Sequence, residues 1–197
     1  TQQALVTHLL PQRSRATRTT IVRIIQQRLV RWFPPEWVID DLVRFAQDTM
    51  QPSLAAALLV HVVRQDALLY DFVTTVIMPR WKSSDHLLVH ADVQRFLDSM
   101  ELIHPEILGW SHSTREKLAG NVLAILRDYG LCQGRVTKRM IEPDVPRAVA
   151  FHLLHLLRAE DVPADQLCTH PDWQIWLWEP QRVQQLIAQA ESGKEGP

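Results

Sequence analysis

Helical periodicity, cut into short lengths, is the strongest constraint on what this chain can fold into. Ile21, Ile24, Ile25, Leu29 and Trp32 fall at i, i+3, i+4, i+8 and i+11, one face of a helix, and the Pro34-Pro35 pair stops it. Glu36 to Thr49 reads as the next helix. Pro52 opens another through Ala57, Leu59 and Val63, and Ala67 to Met78 is a further helix that Pro79 ends. The stretches "RAVAFHLLHLLRAE" and "EPQRVQQLIAQA" repeat the pattern near the end of the chain. With 46% hydrophobic residues in 197, the chain can bury one large core or two small ones, and the expected class is mostly α.

The pattern changes after Ser83-Ser84. "SDHLLVHADVQRFLDSM" predicts a helix with Val89, Val93, Phe96, Leu97 and Met100 inward, and "HPEILGW" predicts one more helical turn. In "SHSTREKLAGNVLAILRDYG", Ser113 and Glu116 form an S-x-x-E capping box. Leu118, Val122, Ile125, Leu126 and Tyr129 supply the apolar stripe of that helix, and Gly130 its C-cap. "LCQGRVTKRMIEP" places two short apolar pieces, Leu131-Cys132 and Met140-Ile141, around a basic loop containing glycine, which predicts one short β-hairpin. Helices followed by a hairpin are the order of a winged helix. Three regions are therefore expected: a helical region over 1–80, a winged-helix region over 85–145, and a helical region over 146–197 packed on the same core.

Charge is distributed unevenly. "QRSRATRTTIVRIIQQRLVRW" holds six arginines and no acid, so residues 1–35 carry +6 while the whole chain carries −1. Arg13, Arg15 and Arg18 precede or begin the helix, with hydroxyls from Ser14, Thr17, Thr19 and Thr20 around them. Arg23 and Arg31 lie opposite the isoleucines. Arginines, small hydroxyls and free helix N-terminal amides are what phosphate oxygens bind. A second basic stretch runs from Ser111 to Ile141, with six bases against two acids. There the predicted solvent face of the capped helix carries Thr114, Lys117, Gly120, Asn121 and Ala124, and Arg115 stands beside it. Gly120 and Ala124 keep that face low, and an asparagine such as Asn121 can pair both edges of an adenine. Arg135, Lys138 and Arg139 on the hairpin would reach flanking phosphates. The competing reading of both stretches is a solvated basic face or a protein-docking one.

Enzyme signatures fail. His86 and His90 have the i, i+4 spacing of metal ligands but no H-E-x-x-H, and His152 and His155 fare no better. Pro143-Asp144 and Pro171-Asp172 lack the following acid-x-Lys of a nuclease. There is no Walker loop, G-x-G-x-x-G or G-x-S-x-G. No catalytic residue, metal or cofactor is expected. Trp173, Trp176 and Trp178 fit core better than base-stacking positions. Cys132 and Cys168 stand apart with no Cys-x-x-Cys, which fits a reducing cytoplasm. The most apolar run, Leu54 to Val63, is interrupted by His61 and too short to span a bilayer, so no membrane partner is expected.

Four stretches together resemble a known family: "QRSRATRTTIVRIIQQRL", "RQDALLYDFV", "ADVQRFLDSMELIHPEILGWSHSTREKLAGNVLAILRDYGLCQG" and "DWQIWLW". They are similar to the BrxA family of BREX bacteriophage-defence systems. The resemblance implies a non-enzymatic, mostly helical protein that binds double-stranded DNA. It also implies a multi-helix core like the NusB antitermination fold, with helix-turn-helix or winged-helix elements, and other BREX components as partners. Family members carry a further helical segment ahead of the arginine-rich helix. Only "TQQALVTHLLP" precedes it here, so an N-terminal helix-turn-helix is expected to be incomplete. A protein-interaction adaptor and an RNA-binding NusB-like protein are the alternatives, and the sequence leaves the oligomeric state open.

Overall fold

The computed structural model describes residues 15–48 and 53–191. It divides into two compact units, residues 1–40 and 41–197, and the division falls inside the segment read above as one helical region. Arg13 and Pro52 lie outside the described residues. In the first unit, α1 runs over Arg15–Ile25 and passes into a wider π turn over Gln26–Val30, closed by the Arg31 N–H on the Gln26 carbonyl at 2.9 Å. The i→i+5 turn rotates the side chains that follow away from a 3.6-residue wheel. Ile24 and Ile25 are 42% and 44% exposed, so the predicted apolar face is not a buried one at these positions. Helix α2, Glu36–Gln47, begins directly after Pro34-Pro35 and crosses the division.

The second unit is built on α3, Ser53–Arg64. Ala56, Ala57, Leu59, Val60, Val62 and Val63 are all buried, so this helix is apolar on every side and central. Trp176 donates its indole N–H to the Ala56 carbonyl at 3.0 Å, and Trp173 donates to the Leu167 carbonyl at 2.7 Å. The rings of Trp173 and Trp178 stack within 3° of parallel. Trp173 and Trp176, carried by a 3-10 segment at Pro171–Trp176, and Trp178 just after it are core. Beside it, the buried Asp172 accepts from the Tyr70 hydroxyl at 2.9 Å and pairs with Arg64 at 3.0 Å. Arg64 also holds Glu160, tying α3 to the end of α7, Arg147–Ala159. Helix α8, Pro180–Glu191, follows.

Helix α4 runs over Ala67–Lys82 and does not stop at Pro79 as expected. A π turn at Val73–Ile77, in which the Met78 N–H reaches back to the Val73 carbonyl, opens the ladder just where the proline ring would meet it. Among the described residues no single helix is long and apolar enough to cross a membrane. Helices α3 and α4 pass by combined length only, bent by 107°.

Next comes a three-stranded antiparallel sheet of order β1-β3-β2, from Leu87–Leu88, Lys138–Met140 and Cys132–Gln133. Strand β1 lies in the stretch predicted as helix, and it takes His86 off the helix: that ring stacks on Trp81 at 4.4 Å instead. Helix α5, His90–Met100, starts where the Asp92 carboxylate accepts the Val89 N–H at 2.7 Å and pairs with Arg80 at 2.9 Å. A 3-10 turn at Pro105–Gly109 leads to α6, His112–Asp128. The N-cap of α6 is Ser111, whose Oγ accepts the Thr114 N–H at 3.2 Å, two residues before the predicted capping box. Glu116 bonds Gln94 rather than the backbone. The buried face of α6 is accordingly Ala119, Val122, Leu123 and Leu126, with Leu118, Ile125 and Tyr129 half-buried at its edge.

A polar chain links α2, α7 and α3 in the interior: Asp41 Oδ2 lies 2.7 Å from His152 Nδ1, and His152 Nε2 lies 3.0 Å from His61 Nε2. Burial, then the neighbouring His152 and Arg64, pushes His61 down to about 3. Burial also lowers His152, against the pull of Asp41. An unfolded histidine titrates near 6.5, so below that pH the unfolded chain binds protons that the folded chain refuses, and stability falls with pH. His61 alone predicts a loss of about 2 kcal/mol between pH 7.5 and pH 5. Urea unfolding followed by tryptophan fluorescence at the two pH values measures it, and equal stability would mean that neither imidazole is held neutral.

Candidate nucleic-acid interface

Helix α6 and the β2–β3 hairpin form the candidate surface of the second unit. The helix buries one side against α5 and leaves Thr114, Lys117, Gly120 and Asn121 exposed, with Ala124 half-buried, as its pattern predicts. Beyond its end, Gly130 takes φ +83°, and the Leu131 N–H closes on the Leu126 carbonyl at 2.8 Å. This left-handed cap turns the chain straight into β2.

The six bases of this stretch do three different jobs. Arg115 is only 15% exposed in its side chain; it donates to Asp98 at 2.7 Å, Glu101 at 2.6 Å and the Ile107 carbonyl at 2.9 Å. It ties α6 to α5 and the loop between them, and does not face outward for a phosphate. Lys138 is 4% exposed, and its ammonium donates to the Gly134 carbonyl at 2.8 Å and to the Arg135 carbonyl. The strand alternation explains it: Lys138 and Met140 point inward and Arg139 outward. Burial pushes the Cys132 thiol up to about 12, while the Lys138 ammonium pulls it the other way. Arg127 pairs with its neighbour Asp128 at 2.6 Å. Lys117, Arg135 and Arg139 are exposed and make no ion pair among the described residues.

A cleft of about 330 Å³ separates α6 from the hairpin, lined by His90, Gly120, Ala124, Arg127, Arg135 and Val136. The small residues of α6 are thus the wall of a cleft, and His90 Nε2 sits 3.8 Å from where a Gly120 Cβ would be. His90 also lies 3.5 Å from Glu116. The i, i+4 spacing of His86 and His90 fits metal ligands, but a core or surface histidine is the better sequence reading; among the described residues no group of three or more His, Cys, Asp or Glu could hold a metal. Thr114 hydroxyl bonds the Ser111 hydroxyl at 2.9 Å at the exposed start of the helix.

In the first unit, Arg15 begins α1 and Arg18 stands in its first turn, while Arg23 and Arg31 are exposed. The structure brings Thr114, Lys117 and Asn121 onto one helix face with Arg135 and Arg139 on the adjoining hairpin; the arginines of α1 belong to the other unit.

The two fates of neighbouring bases are separable by stability. Arg115→Ala leaves Asp98 and Glu101 unpaired and is expected to cost about 2 kcal/mol, against less than about 0.5 kcal/mol for Lys117→Ala. Urea midpoints of the two variants decide it; equal values would remove the structural role of Arg115.

No curated protein and no solved structure matches the chain. The BrxA family model matches residues 1–155, more than three quarters of the length. This chain belongs to the BrxA family of BREX defence systems.

Proposed function

We propose that this chain is a non-enzymatic accessory protein of a BREX phage-defence system that binds double-stranded DNA mainly through its phosphates. The observation that carries the reading is the order β1, α5, α6, β2, β3 with sheet order β1-β3-β2. That order supports a winged-helix reading, with α6 as the groove-entering helix and the hairpin as the wing. Of the six bases between Ser111 and Ile141, the three that are exposed with no ion pair among the described residues lie on those two elements: Lys117 on α6, Arg135 and Arg139 on the hairpin. Asn121 stands on the same outward face and suits a bidentate contact to an adenine edge, as Lys117 suits one to guanine. Arg13, Arg15, Arg18, Arg23 and Arg31 form a second phosphate-binding surface in this reading. Arg115 and Lys138 support the first surface from within.

One observation favours a protein partner as well. Leu102 and Leu108, in the loop between α5 and α6, are 95% and 65% exposed. An adaptor role for that loop is compatible with DNA held on α6.

Fluorescence anisotropy on a labelled duplex of about 25 base pairs, repeated over a range of salt, tests the proposal. Six to ten phosphate contacts predict a log–log slope of about −5 to −9. Lys117/Arg135/Arg139→Ala should make the slope shallower by about 2 to 3, because three charges leave the contact set. No binding at low salt would overturn the reading, and tighter binding to a matched RNA duplex would redirect it.

A further inference from the structure

We infer that the tip of the β2–β3 hairpin is a preformed seat for a backbone phosphate, held open from beneath by Lys138. The inference rests on the DNA-binding reading for its ligand, and on the hairpin itself for its geometry. A lysine that is 4% exposed with two carbonyls and no carboxylate as its partners among the described residues is a costly arrangement, so its geometry calls for a reason. The ammonium draws the carbonyls of Gly134 and Arg135 toward the interior. Every described peptide bond is trans, and in a planar trans unit the N–H points opposite to the C=O. The N–H groups of Arg135 and Val136 are therefore turned outward. Neither donates a backbone hydrogen bond among the described residues. Two successive outward amides beside an exposed guanidinium are donors of the kind that bind a phosphate oxygen.

The conformation is fixed by more than the lysine. Gly134 has φ +105°, and a Cβ there would lie 2.3 Å from the Thr137 carbonyl oxygen, so only glycine fits. Val136 is 87% exposed at the tip, at the edge of the cleft it lines with Leu123 and Ala124. Lys138 is thus a positioning residue. It adds no phosphate contact and removes the ordering cost of the groups that make one.

The test uses the full chain, labelled with ¹⁵N, with wild type beside Lys138→Met and Arg135→Ala. In free wild-type protein, backbone order parameters at Arg135 and Val136 should be about 0.85, and values below about 0.6 would overturn a preformed tip. Adding the duplex should move the Arg135 and Val136 amide protons downfield. Lys138→Met should weaken binding about ten-fold through lost ordering, with the salt slope within about half a unit of wild type. Arg135→Ala should make the slope shallower by about 0.9. A slope that falls by about one unit in Lys138→Met would make Lys138 a direct phosphate contact and sink the inference. Should the duplex not bind at all, titration with inorganic phosphate reads the seat alone: shifts confined to the tip amides keep it, and unmoved amides end it.

Discussion

The pairing of Leu87–Leu88 with Lys138–Arg139 is the contact on which the arrangement of the second unit depends. It joins residues about fifty apart in the chain, a closure that local propensity cannot supply. Once β3 is seated between β1 and β2, the alternation of a strand sets the rest. Leu88, Cys132, Lys138 and Met140 go inward; Leu87, Gln133 and Arg139 go out. A slip by one residue would put Arg139 in the core and Lys138 in water. The same register holds the hairpin against α6 and opens the cleft between them. The Met140 N–H on the His86 carbonyl, at 2.7 Å, extends the ladder by one bond and fixes the turn from which α5 departs.

The helices were legible because their cues are local. Pro34-Pro35, Gly130 and the spacing of Val93, Phe96, Leu97 and Met100 each act within a few residues, and each element is where those residues put it. The misses are cases where another partner, near or far in the chain, overrides the cue that was read. Leu87 and Leu88 look like the start of a helix until β3 offers them a ladder. Pro79 ends a helix in isolation; here the π turn at Val73–Ile77 absorbs it. Ser113 and Glu116 have capping-box spacing, yet Ser111 reaches the Thr114 N–H first and Glu116 finds Gln94.

The candidate surface was legible as a charge total and illegible residue by residue. Counting bases from Ser111 to Ile141 gives a basic module, but it cannot separate Arg115, which faces Asp98 and Glu101, from Lys117 two positions on. On a helix two residues are about 200° of rotation, enough to exchange the inside for the outside. Lys138 and Arg139 are separated in the same way by the two-residue period of a strand. Net charge therefore overstates the contact set on this face, and burial decides which bases remain in it.

What remains on the face limits what it can read. Lys117, Arg135 and Arg139 are suited to phosphates, which position a protein on DNA and carry no sequence information. In the proposed reading Asn121 suits an adenine edge and Lys117, Arg135 or Arg139 a guanine edge, and each good bidentate contact would discriminate by about 1–3 kcal/mol. A specific site in a genome needs on the order of 4–10 kcal/mol over non-specific sites. One such contact cannot reach that range. In the proposed reading a duplex on this face is held mainly by phosphate contacts, and the sequence it reads depends on which of these four side chains reach base edges in the groove.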